Sequence, residues 1–208
     1  MKKDKYSEHM ALAILNIRLP EFAANLFLDD SPDLQTADRS LGIEVIEAID
    51  RGIAQIDGEY KKVEKSIRES DKAKRIKKIE KNGAKYSQCA LFYPGIDSKQ
   101  ERETVLMAFR KKVEKLASYR KKGFKQLGVL VFMDTPPIPY DPAEYCEAFL
   151  QMKVADDFYD FAFLLYPCAL VRFDFNQCNR KGGKPYRTFE VDRDKFDELR
   201  AKTREAFY

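Results

Sequence analysis

The segment that decides the fold runs Ser31-Pro32-Asp33-Leu34-Gln35-Thr36-Ala37-Asp38-Arg39-Ser40-Leu41-Gly42-Ile43-Glu44-Val45-Ile46-Glu47-Ala48. A Pro-Asp turn leads into a short strand, and a polar turn separates this strand from a second one. Alternation in the second strand places Ile43 and Val45 on one face and Glu44 on the other. A carboxylate in such an apolar run needs a partner, because burying it alone costs several kcal/mol. If the two strands pair as a hairpin, Asp33 and Glu44 approach each other and can share a divalent cation.

This spacing of acids carries a family resemblance. Pro32-Asp33, followed after ten residues by Glu44-Val45-Ile46, resembles the PD-(D/E)xK signature of the restriction-endonuclease-like nuclease superfamily. The family pattern has a lysine two residues after the second acid, where this chain has Ile46. The resemblance implies that Asp33, Glu44 and the carbonyl of Val45 bind Mg²⁺ or Mn²⁺. It also implies that the reaction is hydrolysis of phosphodiester bonds.

A lysine on a later helix is the candidate for the group that Ile46 does not supply. The sequence predicts one helix over residues 99–122, with an apolar stripe formed by Val105, Phe109, Val113, Leu116 and Tyr119. At about 100° per residue, Lys112 falls inside this stripe. Such a lysine needs a carboxylate partner, or its stem packs while its ammonium reaches water. In the resembled superfamily the lysine sometimes lies on the helix after the hairpin, so the predicted catalytic residues are Asp33, Glu44 and Lys112.

Basic residues are concentrated in two parts of the chain. The formal net charge is only +4, but residues 59–85 hold eleven Lys/Arg against five Asp/Glu, and residues 99–125 hold ten against three. This segregation predicts a basic face for a polyanion, although solvated helix faces would have the same composition. The residues expected to contact phosphates are Lys61, Lys62, Lys65, Lys115, Arg120 and Lys121. Nucleic acid is the expected partner, with DNA favoured over RNA, and a homodimer is left open.

The order of the predicted elements gives the fold class. It begins with a helix, a hairpin, a third strand over residues 86–93, the helix at 99–122 and an apolar central strand over residues 126–133. This order is similar to the core of the restriction-endonuclease-like fold and covers residues 6–134. The prediction is an α/β protein with a mixed central sheet and helices on both faces. Residues 1–208 would form one domain, in which residues 135–208 extend the sheet and add a closing helix.

The sequence argues against several other classes of protein. The chain has no GxxxxGK[ST] or GxGxxG phosphate-binding motif, and His9 is its one histidine. The four cysteines show no CxxC spacing, which favours reduced thiols over a zinc site; they are Cys89, Cys146, Cys168 and Cys178. No apolar run is long enough to predict a membrane span. The expected location is the cytoplasm.

Three functions remain open from the sequence. The first is a Mg²⁺-dependent nuclease, and the second is a catalytically inactive nuclease-like protein that binds nucleic acid or a protein partner. The third is a structural protein in which Glu44 pairs with a core arginine such as Arg172. The absence of a lysine at Ile46 favours the second function, unless Lys112 replaces it.

Overall fold

The computed structural model describes residues 6–87, 90–92, 95, 97–133, 141–153, 157–177 and 185–207. These residues form two compact units. The first comprises Met1–Ala48 and Val105–Tyr208, and the second comprises Ile49–Thr104. The single domain expected over residues 1–208 stays a prediction, because compactness does not show which parts fold independently.

The described residues contain helices and strands in alternation. In chain order they are α1 (Tyr6–Arg18), α2 (Pro20–Ala23), β1 (Phe27–Leu28), β2 (Leu34–Gln35), β3 (Leu41–Glu47), α3 (Arg51–Glu64), α4 (Glu69–Lys81), β4 (Lys85–Ser87), β5 (Ala90–Phe92), α5 (Ser98–Val113), α6 (Leu116–Lys121), β6 (Gln126–Phe132), α7 (Pro142–Leu150), β7 (Phe161–Tyr166), β8 (Ala169–Asp174), β9 (Tyr186–Glu190) and α8 (Arg193–Phe207). The chain is therefore a mixed α/β protein, as its sequence predicts. None of the described helices is long and apolar enough to cross a lipid bilayer.

The first unit is built on a seven-stranded mixed sheet with the order β1-β2-β3-β6-β7-β8-β9. Strands β3, β6 and β7 are parallel, and the remaining neighbours are antiparallel. The predicted hairpin of β2 and β3 is confirmed. The apolar run of β6 lies at the centre of the sheet, where side chains on both faces are covered and no polar alternation is needed.

Helices cover both faces of this sheet. On one face, α1, α2 and α8 bury a cluster that includes Met10, Ile43, Val45, Phe163 and Phe196. On the other face, α5, α6 and α7 bury a cluster that includes Phe109, Tyr119, Val129, Phe149 and Leu164. Because successive side chains of a strand point to opposite faces, β3 directs its odd residues to the first cluster and its even residues to the second. Glu44 therefore points towards the layer of α5, α6 and α7.

The second unit has a small core of its own. Asp50 caps α3 by accepting hydrogen bonds from the backbone of Gly52 and Ile53 at 2.8 and 3.2 Å. Its buried cluster joins both helices to the start of the small sheet and contains Ile56, Val63, Ile79 and Ala84. Residues 50–81 thus form two separate helices, α3 and α4, joined by a short turn.

Two predicted elements differ from the structure. The third strand expected over residues 86–93 is the hairpin of β4 and β5, which forms a separate two-stranded sheet; residues 88, 89 and 93 lie outside the described part of the chain. The helix expected over residues 99–122 is divided into α5 and α6. At the break, Lys115 N donates to Lys112 O at 3.0 Å, and the Tyr159 hydroxyl donates to the same oxygen at 2.7 Å. These two donors replace the regular helical partner of that carbonyl.

Glycine at position 128 is required by packing at the centre of the sheet. A Cβ atom added to Gly128 would overlap the ring carbons of buried Phe161 on the neighbouring strand. We expect Gly128→Ala to lower the free energy of unfolding by about 1–3 kcal/mol, because the ring must leave its packed position. The measurement is unfolding in urea.

The control is Gly58→Ala in α3, where the added Cβ meets no described atom within 4 Å. Alanine at this position should stabilise the helix by about 0.5–1 kcal/mol. Equal stabilities of the Gly128→Ala variant and the parent would contradict the close packing of β6 against β7.

Candidate active site

The position of Asp33 follows from where strand β2 ends. The pairing of β2 with β3 has Leu34 opposite Ile43 and goes no further along β3. Beyond that pair, the backbone of Val45 faces the same edge, and none of the strands in the described part of the chain pairs with it there. Asp33 Oδ2 accepts the hydrogen bond of Val45 N at 2.8 Å, and the carboxylate is 1% exposed. The carboxylate of Asp33 thus accepts the backbone hydrogen bond that a carbonyl of a neighbouring strand would otherwise accept. This bond fixes the Asp33 side chain at the edge of the sheet.

Glu44 lies one residue earlier on β3 and is buried on the face covered by α5 and α6. Its backbone is in register with Val129 of the central strand, and its side chain is 3% exposed. Oε2 of Glu44 is buried and has no hydrogen-bond partner among the described residues. A buried carboxylate oxygen without a donor costs free energy unless a cation or a water binds it.

Lys112 joins the two acids from the end of α5. Its Nζ lies 2.5 Å from Glu44 Oε1 and 3.9 Å from Asp33 Oδ2. Lys115 Nζ lies 3.7 Å from the same oxygen of Glu44. The side chain of Lys112 is 12% exposed, whereas that of Lys115 is 57% exposed. The structure therefore brings Asp33, Glu44 and Lys112 together, with Lys115 at the solvent side of the cluster.

The backbone at Lys112 is held by contacts with the segment before β7 and with helix α7. The Tyr159 hydroxyl donates to Lys112 O, and Tyr159 itself is 1% exposed just before β7. One turn earlier on α5, Phe109 stacks on Phe149 with ring centroids 4.3 Å apart. These contacts fix the rotation of α5, so that the lysine inside its apolar stripe points at the acids.

Two tyrosines near the acids have perturbed titrations. Burial first, and then a hydrogen bond with the carboxylate of Glu44, raise the pKa of the Tyr119 phenol. The pKa of the Tyr159 phenol is also raised, again by burial first and then by Glu44. Both phenols therefore stay protonated at neutral pH and can serve only as hydrogen-bond donors or acceptors near the site. Sequence reasoning placed Tyr119 on the apolar stripe and gave no signal for Tyr159.

A lysine also holds the loop that carries Asp33. Lys122 Nζ donates to the carbonyl and hydroxyl oxygens of Ser31 at 3.2 and 2.7 Å. Arg39, in the turn between β2 and β3, donates to Lys122 O at 2.8 Å. These bonds connect the end of α6 to both sides of the short strand β2, and sequence reasoning did not identify them.

The donor set fits a divalent cation in part. Asp33 and Glu44 supply two carboxylates, and the orphaned Oε2 of Glu44 is a suitable ligand atom. The backbone of Val45 faces the edge occupied by Asp33, so its carbonyl lies on the side where the resemblance requires it. No group of three or more His, Cys, Asp or Glu side chains that could hold a metal occurs among the described residues. Any metal here would keep water molecules in its remaining positions.

The residues expected to contact phosphates are found in different settings. Lys61 and Lys65 are exposed near the end of α3, where Lys62 donates to Glu59 at 2.8 Å. Lys121 is exposed on α6, and Lys115 is shared with the acidic cluster. Of these six residues, Lys61, Lys65 and Lys121 are exposed and have no ion pair among the described residues.

Arg120 is engaged in the fold instead. Its guanidinium donates to Asp157 Oδ1 at 3.1 Å, to Asp160 Oδ2 at 3.2 Å, and to the carbonyls of Lys125 and Phe158 at 3.0 Å each. Asp160 Oδ2 in turn accepts from Leu127 N at 2.8 Å. The guanidinium therefore joins α6 to the segments before β6 and β7, and its donors are directed at protein acceptors.

Through this network of hydrogen bonds, Arg120 stabilises the folded state. We expect Arg120→Ala to lower the free energy of unfolding by about 1–3 kcal/mol, because it leaves partly buried acceptors without donors. The control is Lys121→Ala on the exposed side of the same helix, which should stay within about 0.5 kcal/mol of the parent. Equal effects of the two substitutions in urea unfolding would contradict the network.

The structure corrects one alternative from the sequence. Arg172 was a candidate partner for Glu44, but its guanidinium lies over the rings of Phe22, Phe161 and Phe163 at 5.2–5.9 Å. These rings belong to the cluster on the opposite face of the sheet. The side chain of Arg172 therefore lies on that face of the sheet, whereas Glu44 points to the other face. The cation that pairs with Glu44 is Lys112.

Comparison of the chain with protein-family models, with curated proteins and with solved structures finds no significant match. The chemistry of the site must therefore be argued from its own residues.

Proposed function

We propose that the cluster of Asp33, Glu44 and Lys112 is the active site of a metal-dependent nuclease that hydrolyses phosphodiester bonds. The observation that carries this proposal is the meeting of two buried acids at the edge of β3 with a lysine from α5. The acids have the spacing of the PD-(D/E)xK pattern, and Lys112 supplies the ammonium that the pattern has at the position of Ile46. Ile46 itself packs against the apolar cluster beneath α5.

Electrostatics support a ligand at this site. Two carboxylates, both at most 3% exposed, face the largely buried ammonium of Lys112. Lys115 lies 3.7 Å from Glu44 but is 57% exposed, so it attracts the carboxylate less strongly than the largely buried Lys112 does. Asp33 already has a structural hydrogen bond, from Val45 N, so the second acid alone does not require a metal. The support for a divalent cation is the buried Oε2 of Glu44, which has no hydrogen-bond partner among the described residues.

The roles of the residues follow from their positions. Asp33, Glu44 and the carbonyl of Val45 would hold Mg²⁺ or Mn²⁺. The bound ion lowers the pKa of coordinated water and neutralises charge on the phosphoryl group. Lys112 is placed to donate hydrogen bonds to the attacking water or to a phosphoryl oxygen as negative charge develops there. Tyr159 positions Lys112 because its hydroxyl donates a hydrogen bond to the backbone carbonyl of Lys112. This hydroxyl is directed at that carbonyl and not at the acids, so we assign it no role in proton transfer to the substrate.

The order of elements around the site agrees with this proposal. The helix α1 is followed by the antiparallel strands β1, β2 and β3, by α5, and by β6 in parallel with β3. That order is similar to the core of the restriction-endonuclease-like fold. The second unit is inserted between β3 and the part of α5 that carries Lys112. The specific fold family remains part of the proposal.

A second candidate function is an inactive nuclease-like protein that binds nucleic acid or a protein partner. The short contact between Lys112 and Glu44 favours it, because this pair already neutralises one acid without a metal. The two functions differ in whether the chain cuts DNA when a divalent ion is supplied.

Cleavage of mixed-sequence DNA by the full chain tests the proposal. We expect strand scission in Mg²⁺ or Mn²⁺ and none in EDTA. Lys112→Ala should remove the activity, whereas the matched control Lys111→Ala, at an exposed position one residue earlier, should retain it. Scission that persists in Lys112→Ala would contradict the role of this lysine, and no scission with either ion would favour the inactive relative.

A further inference from the structure

We propose that the helical pair α3–α4 of the second unit is a DNA-binding hairpin that holds the sugar-phosphate backbone through one face of α4 and contacts bases with Ile67 at its tip. The choice of DNA as the polyanion rests on the proposed nuclease function. The binding itself requires neither the acidic cluster nor a metal. We call this pair, with the turn that joins it, the lysine hairpin.

The face of α4 that carries the positive charge lies opposite its buried face. Ile79 is fully buried and Ile76 is half-buried against α3. Lys74, Lys77 and Lys81 are spaced by three and four residues, so they share one face about 100–160° from these isoleucines. All three are exposed. We call these three residues the α4 lysine stripe.

The stripe is not balanced by acids. On the flanks of α3 and α4, Lys62 pairs with Glu59, Lys72 pairs with Glu69, and Arg75 lies 3.3 Å from Glu59. Lys74, Lys77 and Lys81 have no carboxylate partner within the part of the chain that the structure describes. The charges available to an external anion are therefore collected on a single face.

The stripe also opposes the stability of its own helix. Lys77 and Lys81 are four residues apart, and Lys74 and Lys77 are three apart, which places like charges beside each other. Such pairs destabilise a helix by a few tenths of a kcal/mol each. Lys81 lies in the last turn of α4, where the helix dipole favours a cation and offsets part of this cost. Phosphates bound along the stripe would remove this repulsion.

The dimensions of the stripe suit a nucleic-acid strand. From Lys74 to Lys81 the helix rises about 10 Å at 1.5 Å per residue. That length covers about three phosphate steps, since DNA carries one phosphate per strand about every 3.4 Å along its axis. Contacts of this kind supply affinity without sequence preference.

The turn between the helices adds a second observation. Ile67 is 96% exposed, and Lys65 and Arg68 on either side of it are exposed as well. A turn in water favours a polar residue at such a position. Apolar side chains between basic ones are the wedges that DNA-binding proteins place against base steps. Ile67 therefore indicates contact with bases at the tip of the lysine hairpin.

The test measures DNA affinity in EDTA, on full-length chains that also carry Asp33→Asn. Binding of a labelled mixed-sequence duplex is followed by fluorescence anisotropy over a series of salt concentrations. The variant of the stripe is Lys74→Gln/Lys77→Gln/Lys81→Gln, in which glutamine keeps the helix propensity of lysine. The matched control removes the same charge from α8 as Arg193→Gln/Lys195→Gln/Lys202→Gln. Circular dichroism checks that all variants are folded.

We expect the stripe variant to bind DNA at least about tenfold more weakly, with a salt slope lower by about one unit per lysine. Ile67→Ser should weaken binding at every salt concentration and leave the slope unchanged, because it removes no charge. The control variant should bind like the parent. Unchanged affinity in the stripe variant, or an equal loss in the control, would overturn the proposal.

A lipid surface is the competing occupant of a basic hairpin with an apolar tip. Phosphatidylserine vesicles are the probe for it. Vesicle binding that depends on the stripe and on Ile67, together with DNA binding that does not, would overturn the proposal in favour of a membrane. The outcomes also separate the DNA-binding hairpin from the nuclease function. Stripe-dependent DNA binding without cleavage would contradict only the nuclease function, whereas cleavage without stripe-dependent binding would contradict only the DNA-binding hairpin.

Discussion

Asp33→Asn is expected to reduce metal-dependent DNA cleavage by at least about a thousandfold, which corresponds to about 4 kcal/mol in the barrier. Asparagine can still accept the hydrogen bond of Val45 N, so the edge of β3 should keep its structure. The substitution removes one of the two negative charges that would hold the cation. The measurement is the initial rate of scission in Mg²⁺ and Mn²⁺, with circular dichroism as the check of folding.

The control for this prediction is Asp38→Asn in the turn between β2 and β3. Asp38 is exposed and accepts hydrogen bonds from the backbone and side chain of Ser40 at 3.0 and 2.8 Å. Asparagine can accept one of these bonds, and the residue has no contact with the acidic cluster. Activity should therefore be close to that of the parent. A cleavage rate of Asp33→Asn within about tenfold of the parent would show that this carboxylate is not a metal ligand.

Lys112→Met is expected to destabilise the protein by about 3–5 kcal/mol, as found when one member of a buried ion pair is removed. The substitution removes the only cation that reaches both Glu44 and Asp33 among the described residues and leaves the mostly exposed Lys115, 3.7 Å from Glu44. Methionine keeps most of the side-chain length, so packing within α5 should change little. Urea unfolding at neutral pH measures the effect. The control Lys111→Met, at an exposed position, should change stability by less than about 0.5 kcal/mol.

A double variant shows whether the loss comes from the ion pair. Glu44→Gln/Lys112→Met removes both charges of the closest pair, so it should be more stable than Lys112→Met alone. Added Mn²⁺ should also stabilise Lys112→Met, because a cation at the two acids replaces the missing ammonium. A loss below about 1 kcal/mol in the single variant would contradict the burial of the cluster.

Local patterns in the sequence were sufficient for the elements nearest the site. The alternation in residues 41–48 predicts the two faces of β3, and the apolar stripe of α5 places Lys112 on the side of the core. Together they anticipate that Glu44 and Lys112 meet across the sheet and its helix layer. Helical and strand periods are properties of a few consecutive residues, so they can be derived without knowledge of the tertiary structure.

Contacts between residues that are far apart in the chain could not be predicted from local sequence patterns. The bond from Tyr159 to the backbone of Lys112 joins residues 47 positions apart. The division of the predicted helix at this point depends on that bond, and no local signal in residues 99–122 marks it. Arg120 was predicted to bind phosphates because its neighbours are basic. Its acceptors, Asp157 and Asp160, lie in a part of the chain that composition describes only as acidic.

The second unit shows the same limit. Residues 86–93 have the composition of a strand, and the sequence assigned them to the main sheet. Instead β4 and β5 pair with each other, and β1, a strand of two residues, takes the outer position next to β2. A two-residue strand has no periodicity to detect, since alternation needs at least four residues to be recognised.

The measurement that tests the nuclease site most directly is the thermal unfolding midpoint with and without Mn²⁺ or Mg²⁺, on the parent and on Asp33→Asn. A cation that binds only the folded chain must raise the midpoint by mass action. We predict a rise in the parent that increases with the concentration of the ion and is lost in Asp33→Asn. Equal midpoints of the parent with and without millimolar ion, or an equal rise in both proteins, would contradict a metal site at Asp33 and Glu44.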